Sequence, residues 1–149
     1  MDDENFYKDR ILWKAAQNNL FAQACSKFDT VENDRQAYVL GKAALQGKPV
    51  LLFWSSDNLW TLLSSKEVVS QIDSSINAVL LDSINKNMKL QEVKSAERQA
   101  TKLQSEILLI GDAEIKIWAP HGAEIFALMG ILRMFPLGKR HNPNGITLN

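Results

Sequence analysis

The sequence predicts an α+β protein, and three observations lead to this class. Residues 6–28 and 30–46 have apolar side chains at helical spacing. Residues 49–81 and 106–118 hold short apolar, β-branched and aromatic segments that are separated by turn clusters. Residues 123–135 then form one strongly apolar helical segment. Because the strand-like segments are short and closely spaced, we expect them to pair in the antiparallel sense.

The first element is predicted to be a helical hairpin over residues 1–47. In its first helix the apolar residues recur every four positions, at Leu12, Ala16, Leu20 and Ala24. Asp29 is followed three positions later by Glu32, which is a capping pattern for a second helix. Gly47 is predicted to end that helix. Two antiparallel helices joined by a short turn are the expected result.

The second element is predicted to be a β-domain over residues 48–136. Two strands at residues 50–54 and 59–63 flank the turn cluster Ser-Ser-Asp-Asn, and residues 76–81 form a further strand. Residues 66–72 fit either a strand or a helix that begins at a Ser-Ser-Lys-Glu capping box.

In the later part of this β-domain, one segment has no single predicted secondary structure and another is predicted to be a hairpin. Residues 85–104 fit a helix and a polar edge strand equally well. Residues 106–110 and 115–118 flank the turn Gly-Asp-Ala-Glu, which predicts a hairpin. The tail at residues 137–149 lacks periodicity and is predicted to be flexible.

The last helix is apolar on more than one face. Ile125, Leu128 and Leu132 share one face, whereas Phe126 and Met134 lie on others. One face would pack on the sheet, so the remaining apolar surface requires a second cover. We expect the N-terminal helices to supply this cover, and homodimerisation through the surplus surface stays an open alternative.

The order of these elements resembles bacterial pleckstrin-homology-like domains over residues 48–136. Residues 47–53 lead into Trp60-Thr61-Leu62-Leu63, which is similar to a strand followed by a Trp-x-Leu-Leu line in that family. The final hairpin and helix are similar to the end of that fold. The resemblance implies an antiparallel β-barrel or sandwich capped by the C-terminal helix. Family members that bind phosphoinositides concentrate basic residues at the first hairpin turn, whereas this turn carries Asp57 and no base.

A thioredoxin-like α/β fold is the alternative. It would require a buried strand at residues 48–54, a helix at residues 59–72 and a further strand at residues 76–81. Residues 55–60 contain no cysteine, so such a domain would lack the redox motif.

Composition narrows the class of protein. Seventeen basic and seventeen acidic residues give a formal net charge of zero, so we expect no nucleic-acid binding. The longest apolar stretch, residues 125–135, is shorter than the roughly 20 residues of a membrane span. The acidic N-terminus is unlike a secretory signal, and the one cysteine, Cys25, fits a reducing compartment. These features predict a cytoplasmic protein.

No catalytic constellation is predicted from the sequence. His121 and Glu124 would be a conceivable acid–base pair, but an exposed loop histidine is the favoured interpretation. His141 has no evident partner, and Cys25 is expected to pack as an unreactive residue. Two isolated histidines and a distant cysteine do not provide a metal site. We therefore expect no enzyme activity, no metal and no cofactor.

The function predicted is a binding module that recognises a protein partner. The candidate partner-binding residues are Trp54, Trp60, Trp118, Phe126 and Met134. The tryptophans fall on or beside strands, where aromatic side chains line grooves or cores. Peripheral membrane binding through the basic residues between Arg133 and Arg140 is a less favoured alternative.

Overall fold

The α+β class is confirmed. The computed structural model of the protein describes residues 3–22, 25–84, 87–91, 93–95, 98–101 and 105–135. Its helices are α1 (Asp3–Gln17), α2 (Asn33–Ala43) and α3 (Ala123–Leu132). The predicted flexible tail at residues 137–149 and His141 lie outside the described residues.

The strands form two larger antiparallel sheets and one small hairpin. In chain order they are β1 (Cys25–Lys27), β2 (Pro49–Ser56), β3 (Leu59–Ser64), β4 (Glu67–Ile72), β5 (Ser75–Leu80), β6 (Met88–Leu90), β7 (Val93–Ser95), β8 (Arg98–Thr101), β9 (Ile107–Ile110) and β10 (Ile115–Trp118). Strands β1 to β5 follow one another across the first sheet, β9 lies between β6 and β10 in the second, and β7 pairs with β8. Within residues 85–104, the described segments thus contain three strands, β6, β7 and β8, and no helix.

The predicted hairpins are confirmed, and the thioredoxin-like alternative is wrong. Strands β2 and β3 meet at a turn formed by Asp57 and Asn58, and β9 and β10 form the final hairpin. The helix that the alternative requires at residues 59–72 is instead the antiparallel pair β3 and β4. Ser64 explains the difference, because its Oγ accepts hydrogen bonds from the backbone N–H groups of Lys66 (3.0 Å) and Glu67 (2.9 Å). The Ser-Ser-Lys-Glu sequence thus makes a tight turn between strands.

The predicted helical hairpin is wrong. Helix α1 ends at Gln17, and Cys25 at the start of β1 pairs with Phe53 in β2. Asp29 lies in a 3₁₀ turn, and α2 begins four residues later at Asn33. The strand pairing separates the two helices, so that they lie against opposite faces of the five-stranded sheet.

The five-stranded sheet is covered on both faces. We call the face with Leu51, Leu63 and Val68 the inner face, and the opposite one the outer face. The inner face packs against α1, α3 and the second sheet in one large core. The outer face carries Leu52, Leu62 and Val69 and packs against Val39 of α2. Full burial of one such side chain contributes about 1.5–3 kcal/mol to the free energy of unfolding, so the fold is stabilised when helices cover both faces of these apolar strands.

Helix α1 supplies the second cover that α3 needs, as the sequence predicts. The ring of Tyr7 lies 5.0 Å from the ring of Phe135. At the other end of the contact, Lys14 approaches Gly130 of α3. Residues of both helices, including Ile11 and Leu128, belong to the inner core. The segments 1–47 and 48–136 therefore share one core.

The two larger sheets are joined by side chains, and among the described strands they do not close into a barrel. Strand β10 is an edge of the second sheet and crosses the inner face of the first. Thr61 donates its hydroxyl proton to the carbonyl of Trp118, whose backbone N–H donates to Ser70 Oγ at 3.0 Å. Asn77 Nδ2 donates to the Lys116 carbonyl at 3.1 Å. We call these contacts the sheet junction. Side chains thus satisfy the free backbone edge of β10, where a barrel would continue the strand ladder.

We expect Ser70→Ala to destabilise the protein. The buried Ser70 hydroxyl contacts Thr61 Oγ1 at 2.8 Å and accepts from the Trp118 N–H, so its loss leaves buried polar groups unpaired. The free energy of unfolding, measured by urea denaturation, should fall by about 1–3 kcal/mol. The exposed Ser75→Ala is the matched control and should change it by less than about 0.5 kcal/mol. Equal effects of the two variants would contradict the role of the sheet junction.

Candidate functional site

The five predicted partner-binding residues do not form one surface. Trp60 and Trp118 are buried, and Trp54 is half-buried on the outer face. Met134 packs against the inner core, whereas the side chain of Phe126 is 45% exposed on α3. Trp60 and Trp118 are therefore not available to line a surface groove together with Trp54.

Trp60 and Trp118 are core residues with satisfied indole groups, which corrects their assignment to a binding surface. Trp60 is 0% exposed, and its Nε1 donates to Gln71 Oε1 at 3.0 Å. Trp118 Nε1 donates to Glu106 Oε1, also at 3.0 Å. Buried tryptophan requires such a partner for its N–H, and here both partners come from neighbouring strands or loops. Trp60 and Trp118 therefore contribute to the stability of the fold.

Trp54 is the tryptophan that reaches the surface from the sheet, and it does so within a cluster of aromatic and cationic side chains. The Arg35 guanidinium lies 4.2 Å from the centroid of the Trp54 ring. Tyr38 packs edge-on against the same ring, with 6.3 Å between centroids. Lys42 Nζ lies 5.9 Å from the Tyr38 ring. We call Arg35, Tyr38, Lys42 and Trp54 the Trp54 cluster.

Local structure explains how this cluster is built. Positions 35, 38 and 42 recur at spacings of three and four, so one face of α2 presents all three residues. Val39 on the adjoining face is buried against the outer face and fixes the rotation of the helix. Tyr38 Oη donates to the Asp57 carbonyl at 2.8 Å, which ties α2 to the β2–β3 turn. The cluster is thus held between a helix and a hairpin.

An open cleft adjoins the cluster at Lys42. It has a volume of about 430 Å³, and its lining residues are Lys42, Asn58, Gln71, Asp73 and Ser74. Gln71 is buried and fully engaged, because it accepts from Trp60 Nε1 and donates to the Asp73 carbonyl at 2.9 Å. The cleft is therefore a polar region beside the Trp54 cluster, and hydrogen bonds within the protein hold the buried amide of Gln71 in place.

His121 does not pair with Glu124. Its Nδ1 lies 3.3 Å from Glu106 Oε2, and both side chains are about half exposed. Glu106 also accepts from the Trp118 indole, so the carboxylate anchors the loop after β10. Exposed pairs of this kind contribute at most about 1 kcal/mol to stability. Among the residues that the structure describes, no three His, Cys, Asp or Glu side chains converge as metal ligands would.

Cys25 is a protonated core thiol. It is 2% exposed, and burial together with the negative charge of Glu124 raises its pKa to about 12. Because the thiolate is the nucleophilic form, Cys25 is unreactive near neutral pH. This agrees with the expectation from the sequence that the residue packs as an unreactive side chain.

Sequence reasoning missed three members of the Trp54 cluster. Arg35, Tyr38 and Lys42 are not among the predicted binding residues, although their spacing on one helical face is visible in the sequence. Their association with Trp54 depends on the position of α2 across the outer face, which is a long-range property.

Comparison with known proteins identifies no relative. No protein-family description, no curated protein and no solved structure matches the chain. Within the described part of the chain, no helix has both the length and the apolar character needed to cross a bilayer.

We expect the burial of Cys25 to lower stability at high pH. The unfolded thiol ionises near its ordinary pKa of 9.0, whereas the folded one stays protonated up to a pKa of about 12. Above pH 9 the unfolded state therefore binds fewer protons, and the free energy of unfolding falls as pH rises. Between about pH 8 and about pH 10 the wild type should lose about 1 kcal/mol more than Cys25→Ala in urea denaturation. Parallel pH profiles of the two proteins would contradict a buried thiol.

Proposed function

We propose that the protein is a non-catalytic binding module that recognises a protein partner through the Trp54 cluster. The observation that carries the proposal is the packing of Arg35 and Tyr38 on the half-buried Trp54. Trp, Tyr and Arg are the residues that most often dominate protein–protein binding energy. A cluster that is already ordered loses little side-chain entropy on binding, which favours affinity.

The arrangement of the cluster favours a protein over a nucleic acid as the partner. Base stacking requires an open aromatic face, whereas Arg35 already lies 4.2 Å above the Trp54 ring. The neighbouring turn contributes Asp57, and the cleft beside Lys42 contains Asp73. Mixed charge next to aromatic side chains suits a partner with hydrogen-bonding and charged groups of both signs.

The titratable residues considered for catalysis support a non-catalytic function. Cys25 is buried and protonated, and His121 forms an exposed pair with Glu106. Neither belongs to the Trp54 cluster. The cleft beside the cluster contains Lys42 and Asp73 together with Asn58, Gln71 and Ser74, and its buried member, Gln71, is an amide that does not titrate.

We further propose that residues 48–136 form a pleckstrin-homology-like domain whose sheets remain open. The chain order supports this assignment, because a meander of strands is followed by a final hairpin and a helix. Two antiparallel sheets that face each other across one core also agree with it. The strand β1 and the helix α1 are additions from the N-terminal segment, and fold alone does not specify a partner.

Arg35→Glu should weaken binding of the protein partner by about tenfold or more, because it removes a cation from the tryptophan ring and introduces the opposite charge. The measurement uses a photoreactive aromatic amino acid in place of Tyr38. After irradiation, the amount of partner protein crosslinked to this position is quantified. Arg10→Glu is the matched control, since Arg10 lies 4.3 Å over the exposed Trp13 on α1.

The control variant should retain the crosslink, and Arg35→Glu should lose it. Equal crosslinking by both variants would contradict a binding role for the Trp54 cluster. Substrate turnover that is abolished by a change at His121 would contradict the non-catalytic assignment.

A further inference from the structure

Among the described strands, β5 is an edge of the five-stranded sheet. Every second residue of β5 directs its backbone N–H and C=O groups away from β4. The Leu81 N–H donates to the Lys66 carbonyl at 2.9 Å, and the register continues without a shift to the pair Ser75 and Ile72. In an antiparallel pair, residues two apart direct their N–H and C=O groups to the same side. The odd-numbered residues of β5 therefore bond to β4. Ile76, Ala78 and Leu80 direct their backbone groups outward.

The same three residues form an exposed apolar row. Their side chains project from the outer face, where Ile76 is 42% and Leu80 is 49% exposed. The apolar cluster beneath α2 extends across the sheet only to Val69 in β4. Backbone hydrogen-bonding groups and apolar side chains thus occur together along this edge.

Strand β5 has none of the features that usually prevent strand pairing at an edge. Exposed edges are commonly protected by charged residues, proline or a bulge. Residues Ser75–Leu80 contain no charged residue and no proline, and their register with β4 is regular over six pairs. Strand β5 is therefore suited to accept another strand.

We propose that a second copy of this chain occupies the edge, with the two β5 strands antiparallel about a twofold axis at Ala78. This register places Ile76 opposite Leu80 of the partner and Ala78 opposite its own copy. Large side chains then meet large ones, and the small residue lies at the axis. A twofold axis perpendicular to the sheet keeps both Ile-Ala-Leu rows on the same face, and this symmetry makes the two strands antiparallel.

Hydrogen bonding and charge agree with the same register. The three outward residues of each copy would form about six backbone hydrogen bonds across the axis. Leu80 O already accepts from Ser83 Oγ at 2.9 Å, and a carbonyl has a second lone pair for the partner. The nearest carboxylates, Asp73 and Asp82, lie beyond the two ends of β5, in the turn before it and in the 3₁₀ turn after it, so the paired row itself contains no carboxylate. The dimer would join two five-stranded sheets into one.

Charge introduction at the axis tests the proposal. Ala78 is exposed, so Ala78→Lys and Ala78→Glu should leave the fold intact, which circular dichroism can verify. Each variant would place two like charges opposite each other and should raise the dimer dissociation constant at least about tenfold. An equimolar mixture of the two variants should restore a dimer, because Lys then faces Glu. The matched controls are Ala16→Lys and Ala16→Glu at an exposed position on α1.

The readout is sedimentation velocity of the full chain up to millimolar concentration. A wild-type dimer, monomeric single variants, a mixed heterodimer and unaffected controls together support the pairing. A monomeric wild type would overturn it, as would single variants that remain dimeric. Failure of the mixture to associate would overturn the twofold register. Trp54 lies three strands away in β2, so this result is independent of the partner-binding experiment.

Discussion

The sheet junction is the contact on which the rest of the structure depends. Thr61 donates its hydroxyl proton to the Trp118 carbonyl, and the hydroxyl of Ser70 lies 2.8 Å from Thr61 Oγ1 and 3.2 Å from the Trp60 carbonyl, to which it can donate. Ser70 in turn accepts from the Trp118 N–H. These groups are buried, and a buried polar network stabilises a structure only when its members are satisfied. The geometry of these few polar groups therefore fixes where β10 crosses the first sheet.

The position of β10 determines where the last helix lies. Helix α3 begins five residues after Trp118, so the junction directs the apolar helix onto the inner face. Helix α1 then packs on α3 through Tyr7 and Phe135. Once the inner face is filled in this way, α2 is left as the cover of the outer face. The Trp54 cluster arises at the surface because α2 lies there.

The helices and strands that cover the two faces of the five-stranded sheet also determine which apolar residues stay exposed. Trp60 and Trp118 become core residues because helices or strands lie over them on either side. The outer cluster ends at β4, one strand short of the sheet edge, so Ile76 and Leu80 stay exposed. Exposed apolar surface on this sheet thus begins where the cluster beneath α2 ends.

The sequence by itself determined the elements whose signals are local. The β2–β3 and β9–β10 hairpins result from turn residues between apolar segments, and α3 results from its continuous helical pattern. Only the tertiary structure decided the end of α1, since Leu20 continues the helical spacing while Cys25 gains strand pairing with Phe53. It also decided that Trp54 is the sheet tryptophan at the surface and that Arg35 lies over it. These outcomes depend on contacts between residues distant in sequence, whereas the spacing of apolar residues indicates only local secondary structure.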